Sequence, residues 1–159
     1  MREAVTAAAS AEPERNAEHL WRAGRDRLAR SGIDLTVAPM VEAQMEFPID
    51  VHCQRTRPGP TAYRQWRDYY DEQARAMVLS DSTVIASALS DGVRVLLGFA
   101  SVTERGALRI VYVKLRFRGN GIGLRLLEAA GVAVPVRIVK ADGGWGRWAA
   151  YHGLPWWVA

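Results

Sequence analysis

One cysteine, three histidines and no apolar run long enough to cross a membrane set the first limits on this 159-residue chain. Cys53 has no second cysteine to pair with, so an internal disulfide framework is excluded. A spanning helix needs roughly 20 apolar residues in succession, and none approaches that length. The N-terminal stretch MREAVTAAASAEPERNAEHL lacks the strongly apolar segment of a signal peptide, so a cytoplasmic location is the expectation. There is no Gly-x-Ser-x-Gly elbow for a nucleophilic serine and no Gly-Lys-Ser/Thr ending of a P-loop. His52 and Cys53 are adjacent on an expected strand, where their side chains point to opposite faces. That makes a poor metal site, and Cys53 reads as a buried thiol. No metal is expected.

What is present is an ordinary globular composition, 49% hydrophobic and 24% charged, enough for one domain with a substantial core. The net charge is +4, and the excess is arginine spread along the chain, at 22, 25, 27 and 30, at 64 and 67, and at 116, 118 and 125. That balance suits an anionic ligand. The arginines at 22–30 read as the solvated side of a helix.

Residues 1–13 are Ala-rich and end at Pro13; they read as a flexible leader, with 14–159 as a single domain. Ala17, Leu20, Trp21, Gly24 and Leu28 mark the buried face of a helix over 14–30, stopped by Ser31-Gly32. A short strand over 33–37 follows. The run RTRPGP at 55–60 reads as loop because its prolines remove backbone donors. A second helix spans 61–79, with Thr61 as candidate N-cap and Tyr63, Trp66, Tyr70, Ala74 and Met77 along one stripe. The period then changes to that of strands at 83–89, 93–103 and 107–113, separated by turns, which make an antiparallel meander. A helix over 124–130 leads to a strand over 132–139. The intervening helix places that strand parallel to 107–113. A last helix covers 145–152, before a short tail.

The most informative segment joins the third meander strand to the helix at 124: Arg118-Gly119-Asn120-Gly121-Ile122-Gly123. Glycines let the backbone approach a ligand and turn its N–H groups toward it. The helix start adds unsatisfied donors and a partial positive charge, and Arg118 adds a formal one. The spacing is not the Gly-x-Gly-x-x-Gly of a dinucleotide fold.

This segment resembles the acetyl-CoA motif Arg/Gln-x-x-Gly-x-Gly/Ala of the GNAT superfamily, with Arg118, Gly121 and Gly123 in its three defined places. Val113 lies five residues upstream, Phe117 takes the aromatic place before the arginine, and the run Gly98-Phe99-Ala100 is similar to the family's third strand. The resemblance covers roughly residues 61–154 and is specific over 108–131. It implies an α/β fold of mixed type: a central sheet with an antiparallel meander, a splayed parallel strand pair and flanking helices. It implies acetyl-CoA as cosubstrate, with the pantetheine arm on the backbone of Val111 and Val113. The N–H groups of Gly119, Asn120, Gly121, Ile122 and Gly123 would then hold the pyrophosphate beside Arg118. A valine at Gly121 is expected to block those phosphates without disturbing the fold, since the loop lies at the surface.

The segment Trp148-Ala149-Ala150-Tyr151-His152-Gly153-Leu154 is similar to the helix that carries the family's tyrosine before Gly-Phe, which makes Tyr151 the candidate acid. His152 is read as a helix C-cap, and Glu104 and Asp91 as turn residues rather than bases. Family members continue with two more strands, whereas this chain stops five residues after Leu154. Trp156 and Trp157 in that tail are therefore expected to be buried, against the sheet or between copies of the chain. The resemblance implies an acetyl-CoA-dependent N-acyltransferase with a small-molecule or protein amine as acceptor. The alternatives are a GNAT-fold binding or structural protein without catalysis, and a transferase acting on modified DNA bases, as in similar short phage proteins.

Overall fold

The computed structural model describes the backbone of residues 2–56, 60–140 and 143–158, and the side chains of 17–55, 67–140 and 144–158. The side chains of Thr61, Tyr63 and Trp66 therefore lie outside the described residues. Helix α1 runs Arg2–Ser31, β1 Leu35–Pro39, α2 Glu46–Thr56, α3 Pro60–Ser80, β2 Ser82–Ser90, β3 Val93–Val102 and β4 Leu108–Val113. Helix α4 (Ile122–Ala129), β5 (Val136–Ile138), α5 (Gly143–Tyr151) and β6 (Trp156–Val158) complete the chain. The six strands form one sheet in sequence order. From β1 to β4 the pairs are antiparallel; β5 is parallel to β4 and β6 is parallel to β5. This is the mixed sheet with flanking helices expected of the GNAT fold, including the meander and the helix between the parallel strands.

Two layers cover the sheet. On one face Leu20 of α1 and Ile122, Leu126 and Leu127 of α4 pack with Leu97, Leu108, Val136 and Ile138. On the other, Val51 of α2 joins Ile85, Phe99 and Ile110, while Ile49 and Cys53 pack against Ala74 and Val78 of α3. Helices α1 and α4 approach closely at Gly24, where a Cβ would stand 2.7 Å from that of Leu124. An ion-pair network of Arg25 with Glu18 and Glu128, and of Arg125 with Glu128, ties the same two helices.

Several sequence expectations change. Helix α1 starts at Arg2, so the backbone of residues 2–13 is helical; alanine has the highest helix propensity and is frequent there. His52 and Cys53 sit on helix α2, not a strand: His52 packs beside Phe99 and the Cys53 thiol reaches Asp71 Oδ1 at 3.2 Å. Arg55 and Thr56 are still helical, and Pro60 opens α3, where its missing N–H has no helical acceptor to lose. The strand expected over 132–139 shortens to 136–138, since Pro135 has no N–H to offer a ladder. The tail forms β6. In the single chain Trp156 and Trp157 are 37% and 49% exposed rather than buried against the sheet, because an edge strand is paired on one side only. Trp156 leans on the Trp145 ring at 6.5 Å and Trp157 lies 5.7 Å from the Arg137 guanidinium.

Candidate functional site

The site begins with a one-residue irregularity in β4. Val102 faces Leu108 and Ser101 faces Ile110, so Arg109 is an extra residue on β4, a β-bulge. A bulge bends its strand and shifts the alternation of side chains. Leu108, Val111 and Val113 accordingly pack toward α4, whereas Ile110 and Tyr112 pack toward α2. Strand β5 meets β4 only at Leu108↔Ile138, with the Val139 N–H donating to Leu108 O at 2.9 Å. Beyond that pair the strands part. A cleft of about 300 Å³ opens between them, walled by β4 from Leu108 to Val113 and by Ile138 and Lys140.

By alternation the outer edge of β4 turns backbone groups toward the cleft. The Lys114 N–H donates to Leu97 O of β3 at 2.8 Å. A strand residue points its N–H and C=O to one edge and its neighbour to the other. Val113 and Val111 therefore direct theirs into the cleft, where Arg118 Nε donates to Val113 O at 2.8 Å.

The glycine segment closes one end. A 3-10 turn at Leu115–Phe117 delivers Arg118, and Gly119 and Gly121 both adopt φ +82°. A Cβ at Gly119 would meet nothing within 4 Å. At Gly121 it would stand 2.2 Å from the Gly24 carbonyl oxygen of α1. The Arg125 N–H is bonded to Gly121 O at 3.1 Å as α4 begins, so the N–H groups of Ile122, Gly123 and Leu124 lie before any intrahelical acceptor. Arg118, Gly119, Gly121, Ile122 and Gly123 all line the cleft. Asn120 does not: its side-chain amide turns back to Phe117 O at 3.3 Å.

Helix α5 supplies an aromatic wall of Trp145, Trp148 and Tyr151, continued by His152 just past its end. Trp148 backs the loop, its ring 3.1 Å from where a Gly123 Cβ would be, and lies 4.5 Å from the His152 ring. Tyr151 lines the cleft but is 73% exposed, edge-on to His152 and 5.3 Å beneath the Arg27 guanidinium. Arg27 Nη1 also stands 3.2 Å from His152 Nδ1. A guanidinium only donates, so Nδ1 accepts and the imidazole proton sits on Nε2. His152 stands at the C-cap position of α5, where the Gly153 N–H donates to Ala150 O and the Leu154 N–H to Ala149 O, and its side chain is held in addition by α1. Arg27 was hidden in the sequence among arginines of a solvated helix face; of that group Arg22 and Arg30 are exposed, whereas Arg25 and Arg27 are half-buried.

Burial, reinforced by the nearby Arg27 charge, lowers the His152 pKa to about 4. The imidazole is neutral at pH 7. Because its folded pKa lies below the unfolded value near 6.5, the folded state gains stability above pH 6.5 and loses it as pH falls toward 4. We expect His152 to titrate near pH 4 by NMR, and Arg27→Leu to raise that midpoint by removing the like charge. A His152 midpoint near 6.5 in the folded protein would refute the packing described.

Helix α2 faces the cleft from the other side of the sheet, through Arg55. Arg109 lines it as well, held by Asp81 through Nε to Oδ2 at 2.5 Å and Nη2 to Oδ1 at 3.2 Å, with the Asp81 side chain only 1% exposed. Burial, with Arg109 and Arg55 nearby, lowers the His52 pKa. Glu104 and Asp91 lie in exposed turns and do not line the cleft. Among the described residues no three His, Cys, Asp or Glu side chains stand together as a metal site, and no described helix is long and apolar enough to cross a membrane.

No family model and no curated protein sequence matches the chain. Among solved structures it is similar to a GCN5-related N-acetyltransferase from Rhodopseudomonas palustris, at 18% identity and TM-score 0.46 over 73% of this chain and 79% of that one. It is also similar to AAC(6')-Iy in complex with the bisubstrate analog CoA-S-monomethyl-acetylneamine, at 17% identity and TM-score 0.42 over 79% of this chain and 78% of that one.

Proposed function

We propose that this chain is an acetyl-CoA-dependent N-acyltransferase. The observation that carries the reading is the continuity of one cleft. An open strand edge at Val111 and Val113 runs directly into a glycine-lined helix start flanked by Arg118. The edge suits an amide-bearing arm added like a strand, and the helix start suits a pyrophosphate. Open space beside Gly119 leaves room for the phosphates.

In this reading the N–H groups of Ile122, Gly123 and Leu124 bind phosphate oxygens, and Gly119 contributes its backbone. The Val111 and Val113 backbone fixes the pantetheine, and the Val113 N–H steadies the oxyanion of the tetrahedral intermediate. The amine nitrogen bonds to the acyl carbon and gives up its proton to water as the carbon–sulfur bond breaks. Tyr151 protonates the leaving thiolate and is itself reprotonated from solvent. The acceptor is a small-molecule or protein amine.

Calorimetric titration tests the reading. Wild type should bind acetyl-CoA, and Arg118→Ala should bind it about 10- to 150-fold more weakly, the loss of one charge-assisted hydrogen bond worth roughly 1.5–3 kcal/mol. Added salt should weaken wild type more than the variant, which no longer has the charge to be screened. No affinity at millimolar acetyl-CoA would reduce the segment to a packing turn. Binding without turnover of any amine would favour the non-catalytic alternative.

A further inference from the structure

We infer that the amine acceptor carries an anionic group, a carboxylate or phosphate, which Arg55 and Lys140 hold at the end of the cleft away from the phosphate loop. This rests on the transferase reading above and adds the substrate class to it.

The cleft passes between β4 and β5 and so has walls from both faces of the sheet. The glycine segment, Trp148, Tyr151 and His152 belong to the face covered by α4 and α5. Arg55 belongs to α2, which packs on the opposite face with Ile110 and Phe99. Lys140 follows Ile138, the residue at which β5 leaves β4. A cosubstrate anchored at the glycine segment reaches its acyl end toward the strand junction, and the amine must approach from the side that Arg55 and Lys140 guard.

Three cations line this end, and one is already neutralised: the Arg109 guanidinium is taken by Asp81. Arg55 and Lys140 are exposed and have no ion-pair partner among the described residues. Among the described residues no glutamate and no aspartate lines the cleft. An ammonium with no compensating charge, or a polycation, meets net repulsion here, which discriminates as strongly as attraction does. An amine tethered to an anion meets attraction at one end. The same two cations lower the pKa of its ammonium group and favour the free amine that must attack. That supplies a means of deprotonation where no carboxylate among the described residues lines the cleft.

The test is steady-state acetylation of phosphoethanolamine, β-alanine, propylamine and spermidine, with acetyl-CoA affinity measured on the same proteins. Wild type should turn over phosphoethanolamine or β-alanine at least about 10-fold more efficiently than propylamine and spermidine. Arg55→Gln with Lys140→Gln should raise KM for the anionic amines roughly 10-fold or more while leaving the acetyl-CoA Kd as in wild type. Both side chains are exposed, so folding should survive. Arg55→Glu should shift the preference toward spermidine. Wild type that binds acetyl-CoA but favours propylamine or spermidine, or acetylates no anionic amine, overturns this inference alone. A double variant that loses acetyl-CoA affinity with acceptor KM unchanged also overturns it, since the two cations then serve the cosubstrate. Wild type with no affinity for acetyl-CoA overturns the transferase reading itself.

Discussion

Gly121→Val should cost the protein its fold before it costs the site its ligand. The sequence suggested a surface loop in which a side chain would only obstruct phosphates. The structure places the missing Cβ 2.2 Å from the Gly24 carbonyl oxygen and 3.1 Å from Arg27 Cβ. Neither the helix backbone nor the α1–α4 contact can give way by an ångström cheaply, since interiors are close-packed. Overpacking of this kind costs about 1–3 kcal/mol, and a β-branched residue at φ +82° adds roughly another 1–3 kcal/mol. Against a total stability of about 5–15 kcal/mol, the sum is a large fraction. For a domain of this size it corresponds to a fall in Tm of roughly 5–20 °C. Gly119→Ala separates the two roles. It shares the left-handed φ but meets no atom within 4 Å, so it should lose much less Tm while intruding on the phosphate side of the loop. Thermal denaturation by circular dichroism, with acetyl-CoA titration of whichever variants fold, checks both. A Gly121→Val protein that melts with wild type would mean that α1 does not pack on the loop as described.

That close contact shows where sequence reading stops. Glycine spacing pointed to a backbone that must approach something, and Gly24 stood correctly on the buried face of α1. Nothing in one sequence says that these two glycines meet, because the contact joins elements almost a hundred residues apart. The bulge at Arg109 was hidden for a related reason. Leu108-Arg109-Ile110-Val111-Tyr112-Val113 reads as one continuous strand, and only the register against β3 reveals the extra residue that opens the cleft. The meander and the helix after the glycine segment were legible because turn residues and a change of hydrophobic period mark them locally. Helix α2 was not, since its apolar residues lack a clean helical stripe, and His52 and Cys53 within it were expected on a strand. Strand β6 was missed because three residues carry no periodicity at all.

The division of labour between Arg27, Tyr151 and His152 leads to the second large effect. Collapse of the tetrahedral intermediate expels a thiolate, which needs a proton from the cleft or from water. His152 is a poor donor: with a pKa near 4 it carries no second proton at pH 7, and its Nδ1 is committed to Arg27. Tyr151 is the remaining protic side chain of α5 on the cleft wall, its ring held between the Arg27 guanidinium and the His152 edge. Positioned acids contribute about 10²- to 10⁴-fold, and solvent reaches a side chain as open as this one, so the low end applies. Tyr151→Phe should lower kcat by about 100-fold while leaving acetyl-CoA affinity near that of wild type, because the ring and its contacts remain. The defect should shrink with an acetyl aryl thioester at high concentration, whose more acidic thiol leaves with little help. It should not shrink if the hydroxyl merely orders the helix. Wild-type kcat in Tyr151→Phe would assign protonation of the thiolate to water and leave Tyr151 as a support for Arg27.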